Sequence, residues 1–195
     1  VGTATFDIGV TTITYTVTDG ATLTDVDAMT VTVTDDENPS VTAAANVTAN
    51  TSDDGTGDCT VDIAITDAVF SDNCPGSTLG WVMTGATTGS GAGQVGTVTF
   101  DIGVTTITYT VTDGSANTDV DAMTVTVTDD ENPIITTCVA DKELILDASC
   151  NATLPDYTSE PELAITECSP YVVTQSPIAG TVISDTTVVT ITVTD

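Results

Sequence analysis

The sequence has no histidine and a single basic residue, Lys142, against 29 acids, a formal net charge of −28 over 195 residues. One lysine cannot neutralise a run of phosphates, so nucleic-acid binding is excluded. An anionic bilayer surface repels such a chain, and no apolar run approaches the ~20 residues of a spanning helix, so membrane insertion is excluded too. Without imidazole there is no histidine base, no Ser-His or Cys-His pair and no histidine-containing zinc site. Aromatic residues make up only 4%, which poorly supplies a stacking platform. The five cysteines form no CxxC pair, so disulfides in an oxidising, extracellular setting are expected rather than zinc. No signal peptide precedes the strand-like sequence at Val1, so a segment of a longer secreted product is expected.

What is present points to a folded chain despite the charge. Hydrophobic residues reach 40% and charged residues only 15%, and mean hydropathy is positive at +0.23. The acids sit at a few points. Between them, threonine alternates with valine or isoleucine, a strand composition.

Repetition is the strongest signal. Residues 1–39 and 95–133 differ at four positions, where Ala4, Ala21, Thr22 and Leu23 become Val98, Ser115, Ala116 and Asn117. The offset of 94 residues is the size of one β-sandwich domain. A weaker third copy aligns Thr181–Asp195 with Thr99–Asp113, and sets Cys150 and Cys168 against Cys59 and Cys74. This register predicts three units. Residues 1–36 are the C-terminal strands of one domain, 37–130 a complete domain, and 131–195 a third lacking its last strand.

Within 37–130, strict alternation places Ile107, Tyr109 and Val111 on one face of a strand over Thr105–Thr112. A second strand over Asp119–Thr128 turns Met123, Val125 and Val127 inward, and DGSANT between them has hairpin chemistry. Earlier strands are expected near Val41–Val47, Thr60–Thr66, Leu79–Thr84 and Gly96–Phe100. No segment carries a 3.6-residue period. The expected fold is all-β: tandem immunoglobulin-like antiparallel β-sandwiches.

The hairpin GVTTITYTVTDGSANT (Gly103–Thr118), the strand ending TVTVTD, the SDNC motif (Ser71–Cys74) and the boundary DDENP resemble the hyalin-repeat (HYR) domains. This immunoglobulin-like family occurs in tandem in large extracellular proteins, and the resemblance spans essentially the whole chain. It implies adhesion or surface-spacer roles and no catalysis. Family members often pair an early-strand cysteine with one in the last strand. Here only Cys138 occupies the early position, which leaves Cys59–Cys74 as the expected bridge of the complete domain. Cys150–Cys168 is expected in the third, with the partner of Cys138 beyond Asp195. Odd cysteines can equally mark intermolecular links or free thiols.

The acids cluster at the expected boundaries. In such a fold the linker entering a domain lies beside two of its loops. This gathers Asp35, Asp36, Glu37 and Asn38 with Asp67, Asp72, Asn73, Asp113 and Asp119. The equivalent junction below carries Asp129, Asp130, Glu131 and Asn132, with Asp156 and Glu167 as further candidates. Calcium takes six to eight oxygens from carboxylates and carbonyls, and such clusters supply them. The plain alternative is a set of solvated turn acids. SDDGTGD (Ser52–Asp58) reads as an exposed turn, and GAGQVG (Gly91–Gly96) as a flexible loop, since a strand follows it rather than a helix. Trp81 is expected in the core.

No cleft pairs two carboxylates for acid–base work, so the chain is not expected to be an enzyme. The expected role is a structural module of a bacterial cell-surface stalk or extracellular filament. Calcium would stiffen its linkers, and strand exchange with neighbouring repeats or copies of itself could assemble it. The alternative is an adhesin that binds a surface glycan or protein.

Overall fold

Alternation of β-branched residues with threonine makes strands whose two faces differ, and such strands pair with their nearest alternating neighbours. In the computed structural model, which describes residues 3–55 and 57–195, the chain is all-β, and no α-helix occurs among the described residues. No helix there is long and apolar enough to cross a membrane.

The strands run β1 (Gly9–Thr18), β2 (Thr24–Val33), β3 (Ser40–Thr42), β4 (Val47–Asn50), β5 (Thr60–Ala64) and β6 (Val69–Ser71). They continue as β7 (Thr78–Gly85), β8 (Gly89–Ala92), β9 (Thr97–Asp101), β10 (Gly103–Thr112) and β11 (Thr118–Thr128). The last stretch holds β12 (Ile134–Thr137), β13 (Ala152–Thr153), β14 (Ala164–Thr166), β15 (Val172–Ser176), β16 (Val182–Ile183) and β17 (Thr190–Thr194).

A five-stranded sheet has the order β4-β11-β10-β7-β8; β4 lies parallel to β11 and the other pairs are antiparallel. Two further ladders, β3–β6 and β5–β9, contribute to the same core. Val41, Val61 and Phe100 from those ladders cluster with Leu79, Met83, Ile107, Tyr109, Val111, Met123, Val125 and Val127 from the five-stranded sheet. The six inward residues expected on β10 and β11 are all at most 2% exposed.

The expected strand over Val41–Val47 divides into β3 and β4. β3 does not pair with β11 through its backbone. Instead the Val41 N–H donates to Asp119 Oδ2 and the Ala43 N–H to Asp121 Oδ2, both at 2.9 Å. Trp81 lies on the same face as Leu79 and Met83 and packs against the core while half-buried. Its indole sits against β8: a Cβ on Gly91 would fall 2.6 Å from Trp81 Cζ2. Part of GAGQVG is therefore a strand whose glycines make room for the ring, not a loop.

The pairings recur downstream. β12–β14, β13–β16 and β15–β17 repeat β3–β6, β5–β9 and β7–β10, so Val172↔Thr194 mirrors Thr78↔Thr112. β10 pairs with both β7 and β11, whereas β17 pairs with β15 alone among the described residues. Upstream, β1 and β2 pair with the same register as β10 and β11, with Tyr15↔Asp27 mirroring Tyr109↔Asp121.

Candidate metal centre and the junction disulfide

The loop leaving β2, the loop after β6 and the end of β10 converge. They bring Asp35, Asp72 and Asp113 together, one carboxylate oxygen of each lying within 4.8 Å of the others. Asp113 is held by its own turn. Its Oδ1 accepts the N–H groups of Ser115 (2.9 Å) and Asn117 (2.8 Å), and its Oδ2 accepts Asn117 Nδ2 at 2.8 Å. Burial pushes this carboxyl up, but the bonds from Asn117, Ser115 and Ala116 outweigh it and hold Asp113 below the usual value. Asn117 also donates to the Asp35 backbone carbonyl at 3.4 Å, which fastens the linker to the turn.

Asp72 is the exceptional member. Both of its carboxylate oxygens are buried and neither has a hydrogen-bond partner. A buried carboxylate without donors is costly unless a cation faces it. The one side-chain cation, Lys142, is paired elsewhere, 3.0 Å from Glu162 and 3.8 Å from Glu160. A hard divalent cation taking oxygens from Asp35, Asp72 and Asp113 fits this donor set.

The other expected ligands lie outside the triad. Asn73 donates to Glu37 at the rim, and Asp36 and Asn38 are exposed. Asp119 is occupied by the Val41 N–H. Asp67 faces the buried Tyr109 hydroxyl; burial first, and then the Asp67 charge, push that phenol up. The thiol of Cys74 borders the triad and is pushed up by burial first, then by its bond to Asp35 and the charges of Asp35, Asp72 and Glu37.

The second junction is built differently. Asp129 and Glu167 approach one another beside the Cys168 sulfur. That sulfur is bonded to Cys59, with a Cα–Cα distance of 5.1 Å, so it offers no thiolate and the cluster supplies two carboxylates. Asp129 Oδ2 is buried without a partner, while Oδ1 accepts the Glu131 N–H at 3.2 Å. Burial pushes Asp129 up, yet its hydrogen bonds, led by the Glu131 N–H, bring it below the usual value. Glu131 moves the other way, raised by burial and then by the charges of Asp129, Asp130, Asp58 and Asp54. Asp130 is occupied by Ser52, whose N–H and hydroxyl donate at 3.1 and 2.8 Å. Asn132 lines the cleft between Gly57 and Cys168, and Asp156 binds Thr158 away from the cluster. In SDDGTGD, Asp53 accepts the Asn50 N–H and Asp54 the Asp62 N–H; Thr56 lies outside the described residues.

The bridge corrects both expected pairings. Cys59–Cys74 and Cys150–Cys168 do not form; Cys74, Cys138 and Cys150 are free thiols. The reason is geometric. Cys59 precedes β5 at the end where Gly57 approaches Glu131, while Cys74 follows β6 at the opposite end, beside Asp35. The intervening strands cross the length of the unit and carry the two sulfurs apart. Nearness in sequence suggested a pair that the topology separates. No protein-family profile matches this chain, and no curated protein does either.

Proposed function

We propose that the chain is a non-enzymatic structural module of tandem immunoglobulin-like sandwiches, the hyalin-repeat type it resembles, in a bacterial cell-surface stalk or extracellular filament. One observation carries this reading. The same hairpin sequence occurs twice with the same register, yet Tyr15, Val17 and Met29 are 60%, 65% and 47% exposed where Tyr109, Val111 and Met123 are 0–1%. An apolar face of that kind suits a surface that another part of a repeat covers. A cleft of about 770 Å³ lined by Leu144, Ile145, Leu146, Val188, Val189 and Ile191 is a second surface of the same apolar kind. In this reading residues 1–36 belong to one repeat, 37–130 to a second and 131–195 to a third.

In this reading calcium binds at Asp35, Asp72 and Asp113 and couples the linker to the domain below it. The unpartnered Asp72 carboxylate supports that assignment. The disulfide is compatible with an extracellular setting. Strand exchange with neighbouring repeats or copies is the assembly step this reading includes. Electron microscopy of the native particle tests the proposal. Rods with a regular spacing of roughly 35 Å per domain, from ~10-residue strands at ~3.3 Å each, are expected. Isolated compact particles overturn it.

A further inference from the structure

We infer that the outward face of the five-stranded sheet is a self-association surface, and that its occupant is the same face of a second copy of this chain. The pairing needs that sheet alone, so it stands whether or not the repeats form an array.

Charge singles the face out. On β10, Ile107, Tyr109 and Val111 point into the core, so the alternate residues Thr106, Thr108 and Thr110 point away from it. The register sets Thr106 between Thr84 and Thr124, and Thr108 between Val82 and Ala122. β4 and β8 extend these rows on either side. None of the outward positions on the five strands carries a charge, in a chain whose net charge is −28. The acids of β11, Asp119 and Asp121, lie on the inner side and hold β3. The outward face of the β5–β9 ladder is different: exposed Asp62 and Asp101 stand opposite Thr99 and Thr60. Copies that meet through acid-bearing surface bring like charges together. Copies that meet through the five-stranded sheet keep their acids at the rim.

The face also has something to bury. Val82, Val104 and Val120 are 50%, 53% and 56% exposed on it, and each threonine adds a methyl group. Threonine makes the face self-complementary. Its hydroxyl both donates and accepts, so a threonine face bonds to an identical one, which a face of amines or of carboxylates cannot do. Eight residues of β7 pair with β10. At ~3.4 Å per residue and ~4.8 Å per strand, the five strands offer roughly 500–600 Å². Two such faces bury about 1,100 Å², the small end of specific interfaces, so the pair should be weak and reversible. Sheets stacked ~10 Å apart let the valines interdigitate.

The face recurs along the chain. The four differences between residues 1–39 and 95–133 all miss it, leaving Thr12, Thr14 and Thr16 where β10 has Thr106, Thr108 and Thr110. Thr174 opposite Thr192 continues the pattern on β15 and β17.

The test is sedimentation of the full chain over a range of concentrations. Reductant and chelator are present, so that neither a disulfide nor a bridging cation joins copies. Reversible association is expected, and it should strengthen as sodium chloride is raised, because screening weakens the repulsion between the rims. Thr108→Glu should weaken it at least tenfold, and a mixture of Thr108→Glu with Thr108→Lys should pair more tightly than Thr108→Glu alone. Thr97→Glu adds the same charge to the outward face of β9 and should leave association unchanged. Circular dichroism of each variant verifies that it folds. A chain that stays monomeric at high salt, association that weakens with salt, or association that Thr108→Glu does not alter overturns the inference. Retention on an insoluble neutral polysaccharide without self-association also overturns it, since the face then serves another partner.

Discussion

The Asp119 carboxylate accepts the Val41 backbone N–H at 2.9 Å, and two residues on Asp121 does the same for Ala43. Alternate side chains of β11 thus stand in for a strand and hold β3 to the five-stranded sheet. Replacing Asp121 with Ala leaves the Ala43 N–H without that acceptor, and the melting temperature should fall by a few degrees. Replacing Asp25, the exposed counterpart of Asp119 on β2, serves as the comparison in the same thermal scans.

The same contact sets an acid limit. The N–H of Ala43, and then that of Ala122, bind the charged form of Asp121 and hold its carboxyl below the usual value. A depressed carboxyl contributes stability above the unfolded value of ~3.9, and the contribution disappears as pH falls through the folded value. Asp113 and Asp156 act in the same direction. Melting temperature should be nearly flat from pH 7 to about pH 5, decline below about pH 4, and decline less steeply in Asp121→Asn.

Gly91 admits no side chain, since its Cβ would meet Trp81 at 2.6 and 2.8 Å. Gly91→Ala forces the indole out of place, and such overpacking costs about 1–3 kcal/mol. Gly20→Ala meets nothing within 4 Å and should have little effect. Urea unfolding followed by the fluorescence of the one tryptophan reads both.

Asp72→Asn tests the metal centre with two opposed effects. It removes a buried carboxylate that has no donor, so the calcium-free variant should melt higher than the parent. It also removes a ligand, so calcium affinity should fall at least tenfold and the rise in melting temperature on adding calcium should vanish. Calorimetric titration with Ca²⁺ and thermal scans in chelator measure the two separately. A parent chain that ignores calcium eliminates the site.

The Cys59–Cys168 bridge closes a loop of 109 residues, and removing such a constraint typically costs about 2–4 kcal/mol. The Cys59→Ser/Cys168→Ser pair should unfold at lower urea, with residues 134–194 losing amide-exchange protection first, because their strands are two to five residues long.

Much of the fold was legible because β10 and β11 carry an unbroken two-residue period, and their inward side chains follow directly from it. β6 escaped because three exposed residues give no pattern, and β8 because a glycine run reads as a loop until an indole is found against it. The Asp35–Asp72–Asp113 triad was legible through composition, since boundary acids and a loop acid were expected to converge. Asp119 was misread because a carboxylate in a strand can serve a neighbouring backbone as well as an ion, and type alone does not distinguish these uses. The cysteine pairing was illegible. It depends on which end of the unit each strand begins from, a property of the topology rather than of local spacing.

The bridge also has a consequence under tension. Force applied along the chain passes from Cys59 directly to Cys168, so β5 to β14, with the linker at Asp129–Asn132 among them, lie in a bypassed loop. About 109 residues, roughly 360–390 Å of extended contour, cannot be paid out until that bond is reduced. A pulled chain would lengthen only through the segments outside that loop until the bond is reduced, so redox state would set how far it can stretch.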